Sequence, residues 1–244
     1  MEENLRETLL GGQSFSWQEE DGLFSAVLND KVYRIRGIED AEDDPFLYHY
    51  MALDYDWEKA RQEIGKKDPV LRRATEENGL IRILNQDGWI ATISFILSQN
   101  NNIKRIKGLY DRLSRSYGHE VEKGYWSFPD PDELSRATEE ELRALGTGFR
   151  APFIIDAVRK HSILDSIQSL SFDDAFEALQ EIKGIGPKVA SCILIFGFAR
   201  KEGFPLDVWM KKVMAEYYPD KDPSYFAPYQ ALSQQYLFSW IRNL

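Results

Sequence analysis

The stretch LQEIKGIGPKVASC, residues 179–192, decides the fold of this chain. A predicted helix ends at Lys183, and Gly184-Ile185-Gly186 forms a turn too tight for larger side chains. Pro187 then stands at the first position of a second helix, where its missing N–H costs no hydrogen bond. Two apolar helical segments joined by such a turn predict a helix-hairpin-helix over about residues 176–199.

The turn has the chemistry of a phosphate-binding site. Because Gly184 and Gly186 carry no side chains, backbone N–H groups can approach a phosphate oxygen, and the dipole of the following helix favours the anion. The same turn also fits a plain corner between two helices, so the glycines alone leave DNA binding as one of two interpretations.

Two ionisable side chains near the turn predict catalysis. Lys188 lies in the first turn of the second helix, whose dipole disfavours the protonated amine and favours a nucleophile able to form a Schiff base. Asp207, in FPLDVWMKKV (204–213), begins the next predicted helix and can stabilise positive charge developing on a sugar. Taken singly, Lys188 also fits a surface lysine that contacts phosphate, and Asp207 a plain helix N-cap.

The net charge of the chain bears on the prediction that it binds DNA. Its 244 residues carry 30 Lys and Arg against 40 Asp and Glu, a formal net charge of -10, which argues against a nucleic-acid partner. However, residues 1–75 hold 10 basic and 17 acidic side chains, whereas residues 98–118 hold five basic side chains and one acidic. We therefore expect a basic DNA-binding face on an acidic molecule.

The cysteine content and the hydropathy exclude several classes of protein. The single cysteine, Cys192, excludes a disulfide framework, a four-cysteine zinc site and a thiolate-bound iron–sulfur cluster. No segment approaches 18 uncharged apolar residues, and MEENLRETLL at the start lacks the pattern of a signal peptide. We therefore expect a soluble intracellular protein.

The remaining patterns predict an α+β protein that is mainly α, with a small β-containing part first. LFSAVLN (23–29) and KVYRIRG (31–37) alternate with period two around Asn29-Asp30, which predicts a hairpin. GWIATISFILSQ (88–99) is almost wholly apolar and predicts a buried central helix. We expect an N-terminal subdomain with its linker over 1–75 and a helical body over 76–244, with further helices over 56–65, 68–84, 103–118, 139–145, 150–166, 172–182, 187–199, 207–217 and 228–242.

Five segments in order resemble one family of proteins. They are GGQSFSW (11–17), SQNNNIKRI (98–106), LGTGFRAPFI (145–154), GIGPKVASC with PLDVWM (184–192, 205–210) and SQQYLFSW (233–240). Together they resemble the 8-oxoguanine DNA glycosylase family, in the helix-hairpin-helix, Gly/Pro-rich, Asp superfamily of base-excision enzymes. The short N-terminal region is similar to that of bacterial members. Together with the lack of a targeting signal, the resemblance implies a cytoplasmic, prokaryotic protein that needs neither a metal nor an organic cofactor.

The resemblance implies roles for the residues around the damaged base. Lys188 matches the catalytic nucleophile and Asp207 the catalytic carboxylate. Gly12 matches the residue whose backbone carbonyl senses the N7 hydrogen of 8-oxoguanine, and Gln234 matches the side chain that reads the Watson–Crick edge. The two walls that stack on the base match Phe238 and Cys192. By spacing alone, Gln234 and Phe238 also fit an ordinary helix face.

The resemblance also implies roles on the DNA surface. Asn100 matches the residue that fills the gap left by the extruded base, Arg105 and Arg150 match contacts to the orphaned cytosine, and Phe149 matches the wedge beside it. By pattern alone, Asn100 also fits a helix stop, and both arginines fit solvated positions. Two positions depart from the vertebrate pattern, because Phe149 replaces a tyrosine and Trp209 replaces a histidine.

The resemblance implies a bifunctional glycosylase and AP lyase. Such an enzyme would excise 8-oxoguanine from double-stranded DNA, opposite cytosine, through a Schiff base on Lys188, and would act as a monomer. Two alternatives remain at this point: a glycosylase for another damaged base, and a non-catalytic DNA-binding protein that uses the hairpin alone.

Overall fold

The computed structural model describes residues 3–243 as a mainly helical protein with two small antiparallel sheets, as the fold-class prediction required. The five strands are β1 Gln18–Glu20, β2 Leu23–Leu28, β3 Lys31–Ile35, β4 Glu120–Glu122 and β5 Tyr125–Trp126. The helices before residue 120 are α1 Leu5–Leu10, α2 Pro45–Tyr50, α3 Trp57–Lys67, α4 Pro69–Asn78, α5 Gly88–Ser98 and α6 Ile103–Tyr117. Those after it are α7 Pro131–Leu134, α8 Glu139–Ala144, α9 Ala151–Arg159, α10 Ile163–Ile167, α11 Phe172–Gln180, α12 Pro187–Phe198, α13 Val208–Tyr217 and α14 Gln230–Arg242.

The predicted N-terminal hairpin is present. Strands β2 and β3 pair antiparallel, with Leu28 opposite Lys31 across a two-residue turn. Asn29 and Asp30 both have positive φ, 48° and 55°, as the turn type that suits the twist of a hairpin requires. The third strand, β1, pairs with β2 and follows directly on the GGQSFSW segment, so the sheet fixes one end of that segment.

The centre of the protein is the contact between α5 and α12. A Cβ built at Gly197 in α12 would lie 3.0 Å from the Gly88 Cα and 2.8 Å from the Ala91 Cβ in α5, so small residues let the two helices touch. The prediction that residues 88–99 form a buried central helix is confirmed, because α5 is buried from Ala91 to Leu97. No helix among residues 3–243 is long and apolar enough to cross a membrane.

Three predicted helices differ in the structure: two end earlier than the sequence indicated, and one is interrupted. The helix predicted over 68–84 ends at Asn78, because Gly79 has a φ of +64° and the chain then pairs beside Glu3. The helix predicted over 150–166 is two helices, α9 and α10, separated by residues 160–162. The first helix of the hairpin ends at Gln180, and residues 181–186 form the turn.

The buried side chains form two hydrophobic clusters. The smaller packs under the three-stranded sheet and contains Trp17, Tyr50 and Met51, together with Leu84 from the segment after α4. The larger fills the helical part, and it already includes residues of α3 and α4. The packing of α3 and α4 joins both helices to the helical body, although α3 lies within the N-terminal subdomain predicted from the sequence. The division of the chain at residue 75 therefore stays a proposal.

Candidate active site and DNA-facing surface

The Lys188 side chain lies above a floor of aromatic rings. Its Nζ is 5.5 Å from the centroid of the Phe95 ring, which belongs to the central helix α5. The Phe95 ring stacks on Phe196 of α12, with centroids 5.3 Å apart, and meets the edge of Phe15 at 6.1 Å. The contact between α5 and α12 therefore fixes the amine, and Phe15 brings the GGQSFSW segment to the same place.

Lys188, Cys192 and Asp207 form one cluster. Cys192 lies one turn after Lys188 in α12 and is buried. Burial raises the pKa of the Cys192 thiol, the positive charge of Lys188 opposes this rise, and the negative charge of Asp207 adds to it. Because both charges act on the same thiol, the nucleophile and the carboxylate predicted from the sequence both lie near Cys192.

Asp207 is held in place by the helix that it begins. Its Oδ1 accepts a hydrogen bond of 2.8 Å from the Met210 N–H, which makes it the N-cap of α13. The interpretation of Asp207 as a helix cap is therefore correct, and the cap fixes the direction of the carboxylate. Among residues 3–243, no ion pair within 4.0 Å joins Asp207 to Lys188.

Gly12 and Phe238, both predicted to contact the damaged base, lie close to each other. Gly12 has a φ of +112°, which favours glycine, and a Cβ built there would lie 3.2 Å from the Ile103 Cδ1 and 3.9 Å from the Phe238 Cε1. The structure thus brings together the first and last of the five family-like segments. Gln234 lies one turn before Phe238 in α14 and is buried, with its Oε1 accepting a 2.7 Å hydrogen bond from Gln235.

The two glycines of the hairpin turn differ in backbone conformation and in the space available for a side chain. Gly184 has a φ of +84°, and a Cβ there would lie 2.3 Å from the Phe153 ring. Gly186 has an ordinary φ of -98°, and a Cβ there would meet no atom within 4 Å. Gly186 is also the N-cap of α12, and no side chain caps this helix end, which is the kind of helix N-terminus that can bind an anion.

The loop between α5 and α6 carries Asn100 and is fastened by Arg150. Asn100 is exposed, with a φ of +47°. The Arg150 side chain is buried; it donates to the carbonyl oxygens of Gln99 at 2.9 Å, Asn100 at 3.1 Å and Thr147 at 3.1 Å. In this structure Arg150 therefore holds the loop, and its predicted contact to a base stays a prediction.

Phe149 and Arg105 lie beside this loop. Phe149 is 45% exposed, and the guanidinium carbon of Arg150 lies 4.3 Å from the centroid of its ring. Arg105 is exposed in the first turn of α6, and its charge adds to the effect of burial in lowering the pKa of Arg150. An exposed aromatic ring and two neighbouring cations form a surface suited to unstacked bases and phosphate.

The sequence did not indicate the residues that hold the GGQSFSW segment. The Gln13 side chain is buried; its Nε2 donates to the Arg82 carbonyl at 2.7 Å and its Oε1 accepts from the Leu84 N–H at 2.9 Å. Arg242, at the end of α14, donates to the Gly11 carbonyl at 2.7 Å. Both contacts join segments more than 60 residues apart, and no local pattern encodes such a pairing.

Neither a metal site nor a large cavity marks the site. Residues 3–243 contain no group of three or more His, Cys, Asp or Glu side chains arranged to hold a metal ion, and the prediction that no cofactor is needed stays a prediction. The cavity of about 480 Å³ between the N-terminal sheet and the helical part is lined by neither Lys188 nor Asp207. The clustered side chains, and not cavity size, therefore locate the chemistry.

Two family models cover most of the chain. Residues 1–91 match the model of the 8-oxoguanine DNA glycosylase N-terminal domain, and residues 93–234 match that of the HhH-GPD superfamily of base-excision DNA repair proteins. The N-glycosylase/DNA lyase of Saccharomyces cerevisiae is 38% identical over 152 residues, which are 54% of this chain and 40% of the yeast protein. The chain thus spans less than half the length of that curated relative.

Solved structures of similar length match the whole fold. The 8-oxoguanine glycosylase/lyase of Clostridium acetobutylicum, solved with double-stranded DNA containing cytosine opposite 8-oxoguanine, is 30% identical with a TM-score of 0.88, covering 99% of this chain and 93% of that one. MBOgg1, solved with a low-affinity DNA ligand, is 32% identical with a TM-score of 0.90, covering 99% and 92%. This chain therefore belongs to the 8-oxoguanine DNA glycosylase family, within the HhH-GPD superfamily of base-excision DNA repair proteins.

Proposed function

We propose that this protein is a bifunctional DNA glycosylase and AP lyase that removes 8-oxoguanine from double-stranded DNA. The observation that carries the proposal is the cluster of Lys188, Cys192 and Asp207, in which the charges of an amine and a carboxylate both act on one buried thiol. The family membership and the name of the Clostridium acetobutylicum relative support the same activity and substrate.

The first reaction replaces the bond between the base and the sugar. The damaged nucleotide must leave the helix, because C1′ of a stacked nucleotide is out of reach. The neutral amine of Lys188 attacks C1′, the C1′–N9 bond breaks, and the base departs with the bonding electrons and takes up a proton. Asp207 stabilises the positive charge that develops on the sugar, as a fixed carboxylate in a partly desolvated site can.

The second reaction cleaves the strand. The amine of Lys188 and C1′ form a Schiff base as the sugar ring opens, so the nitrogen carries a positive charge that acidifies the C2′ hydrogen. Removal of this proton forms a C2′–C3′ double bond and expels the 3′ phosphate. Water then releases Lys188 from the imine.

Recognition of the base is assigned to the wall formed by Gly12, Phe238 and Gln234, with Cys192 on the opposite face. The Gly12 carbonyl accepts a hydrogen bond from the N7–H of 8-oxoguanine, whereas guanine presents a lone pair there. Such a hydrogen bond is worth about 1–3 kcal/mol when its loss leaves buried groups unpaired. Extrusion of the base and entry into the pocket must supply the remaining selectivity.

The DNA contacts are assigned to two surfaces. The turn at Gly184 and Gly186 binds a phosphate of the DNA backbone, and Asn100 fills the gap left by the extruded base. Arg105 and Arg150 contact the orphaned partner, for which we propose cytosine, and Phe149 is the wedge beside it. We further propose that the protein acts as a monomer, in the cytoplasm of a prokaryote where chromosomal DNA is accessible.

Borohydride trapping on a duplex with one 8-oxoguanine opposite cytosine tests the proposal. We expect a covalent protein–DNA adduct that Lys188→Gln abolishes and Lys183→Gln retains, since Lys183 is exposed in the hairpin turn. Binding without an adduct or strand cleavage would favour the non-catalytic DNA-binding alternative. An adduct that forms only with a different damaged base would favour the alternative glycosylase.

A further inference from the structure

Arg242, the last residue of α14, fastens the segment that contains Gly12. Its Nη1 donates a 2.7 Å hydrogen bond to the Gly11 carbonyl, and its Nη2 donates to both carboxylate oxygens of Glu7, at 2.7 and 2.9 Å. One guanidinium thus binds the end of α1 and the turn that follows it, 231 residues away in sequence.

The same guanidinium also contacts the other side of the wall. Its central carbon lies 5.0 Å from the centroid of the Phe238 ring, one helical turn before Arg242. Phe238 in turn faces Gly12, since a Cβ built there would lie 3.9 Å from the Phe238 Cε1. Arg242 therefore sets the position of Phe238 and of the Gly11–Gly12 turn relative to each other.

Glu7 leaves no room for any other residue at position 11. A Cβ built at Gly11 would lie 2.4 Å from the Glu7 Oε1 and 2.3 Å from the Glu7 carbonyl oxygen, although the φ of Gly11 is an ordinary -71°. The Glu7 carboxylate thus occupies the space of the missing side chain. Its exposure is only 17%, and that of Arg242 is 24%, so the ion pair is partly desolvated and less screened than a surface pair.

Arginine is the side chain that suits this arrangement. The planar guanidinium can donate to a carboxylate and to a carbonyl at the same time while its face lies against an aromatic ring. The hydrogen bond to the Gly11 carbonyl fixes the peptide plane that precedes Gly12. Because a glycine at a φ of +112° has few steric constraints of its own, the direction of the next carbonyl depends on this plane and on the contacts beyond it.

We propose that Arg242 and Glu7 are a positioning pair for base recognition, which holds the Gly12 carbonyl and the Phe238 ring at the spacing required by the damaged base. This inference rests on the proposed function of the site. The pair touches neither the sugar nor Lys188, so it acts on base removal and not on the chemistry at C1′ of a nucleotide that has already lost its base.

Two substrates separate these effects. The first is a duplex with 8-oxoguanine opposite cytosine, and the second is the same duplex with an abasic site in place of the lesion. For Arg242→Met we expect base excision under single-turnover conditions to fall about 10- to 100-fold. Cleavage at the abasic site should change less than about threefold, because no base has to be read there.

Conservative variants and a control complete the test. Arg242→Lys, which keeps the positive charge but not the planar guanidinium, should lose base excision to an intermediate degree. Glu7→Gln/Arg242→Met removes both charges, so it should restore the stability lost in Arg242→Met but not base excision. Arg73→Met is the matched control, because Arg73 lies in α4, pairs with Glu77 and lies over the Trp240 ring of the same helix α14; it should leave both reactions unchanged.

Equal losses on both substrates in a folded Arg242→Met protein would overturn the positioning role, as would unchanged base excision. Failure of the unmodified protein to cleave either duplex would instead overturn the proposed function itself. The two failures are therefore distinguishable in one set of reactions.

Discussion

At the scale of single residues, Asp207 combines a structural and a proposed chemical role. Its Oδ1 caps α13 through the Met210 N–H, and its charge acts on the cluster around Cys192. Asparagine caps a helix about as well as aspartate, whereas alanine does not. Substitutions at this position can therefore separate the two roles.

For Asp207→Asn we expect base release to slow by orders of magnitude, with unfolding free energy and DNA affinity almost unchanged. Asp207→Ala should lose about 1 kcal/mol of stability as well. Single-turnover excision, urea unfolding and a DNA-binding titration check the two variants side by side. If Asp207→Asn excised the base at the normal rate, the carboxylate would be only a cap.

Lys107 provides a prediction of pH dependence. Burial lowers the pKa of this lysine from 10.5 to about 8, and its Nζ donates to the Trp17 carbonyl at 3.0 Å. Between pH 8 and 10.5 the unfolded chain holds this proton more tightly than the folded protein does. Stability contributed by the site therefore rises with pH across this window, and below pH 8 the full cost of burying the charge applies.

Urea unfolding at several pH values can measure the pH dependence of stability that Lys107 contributes. The unfolding free energy of the unmodified protein should improve relative to Lys107→Met as the pH rises through the window from about 8. Lys104→Met, which removes an exposed lysine from the same helix, should show no such trend. A constant difference between the protein and Lys107→Met would mean that the Lys107 amine titrates as it does in water.

At the scale of elements, substitutions at Gly184 and Gly186 test the contributions of the hairpin turn to stability and to DNA binding separately. Gly184→Ala would place a methyl group 2.3 Å from Phe153 at a positive φ, so we expect a loss of several kcal/mol, as for other clashes in strained turns. Gly186→Ala adds a methyl group in open space. It should change stability by less than about 1 kcal/mol but weaken DNA binding, because the methyl group lies where a phosphate approaches.

Thermal unfolding and a binding titration on the same duplex distinguish the two alanine variants. The pattern expected is an unstable Gly184→Ala protein and a stable Gly186→Ala protein with reduced affinity. Full affinity in Gly186→Ala would remove this turn from the DNA interface.

Local sequence patterns predicted most helices and strands. Non-local contacts and very short elements explain the errors. The hairpin at Asn29-Asp30 and the central helix α5 were predictable because turn residues and hydropathy encode them directly. The helix predicted over 68–84 was too long because Gly79 does not by itself identify a helix end, and the pairing of Leu80 with Glu3 comes from across the chain. The strands β4 and β5 were missed, since only two or three residues form each.

At the scale of the whole molecule, charge should limit non-specific DNA binding. The net charge of -10 opposes the DNA polyanion, whereas residues 98–118 concentrate five basic side chains against one acidic. The logarithm of the binding constant falls with the logarithm of salt concentration by about 0.9 for each phosphate neutralised. We expect a slope that corresponds to a handful of phosphates, and a value near ten would contradict this account of the footprint.

The candidate site could be predicted from the sequence in part. Lys188 and Asp207 could be proposed because each lies at the start of a helix next to a recognisable turn, and the family resemblance supplied the residues that we propose to read the base. The meeting of Gly12 with Phe238, and the fastening of Gly11 by Arg242, depend on how distant segments pack. The structural role of Arg150 was also unpredictable. No sequence pattern shows that its guanidinium N–H groups donate to the carbonyls of Gln99, Asn100 and Thr147.

The bond between Arg242 and Gly11 also sets an order of events during synthesis. The wall proposed to read the base combines an early turn with a helix whose last residue, Arg242, is made 231 residues after Gly11. Contacts of such long sequence separation form late because closing the intervening loop costs entropy. On the ribosome, Lys188, Cys192 and Asp207 emerge before α14 does. A nascent chain would therefore carry its reactive amine for a time without the wall that selects the base.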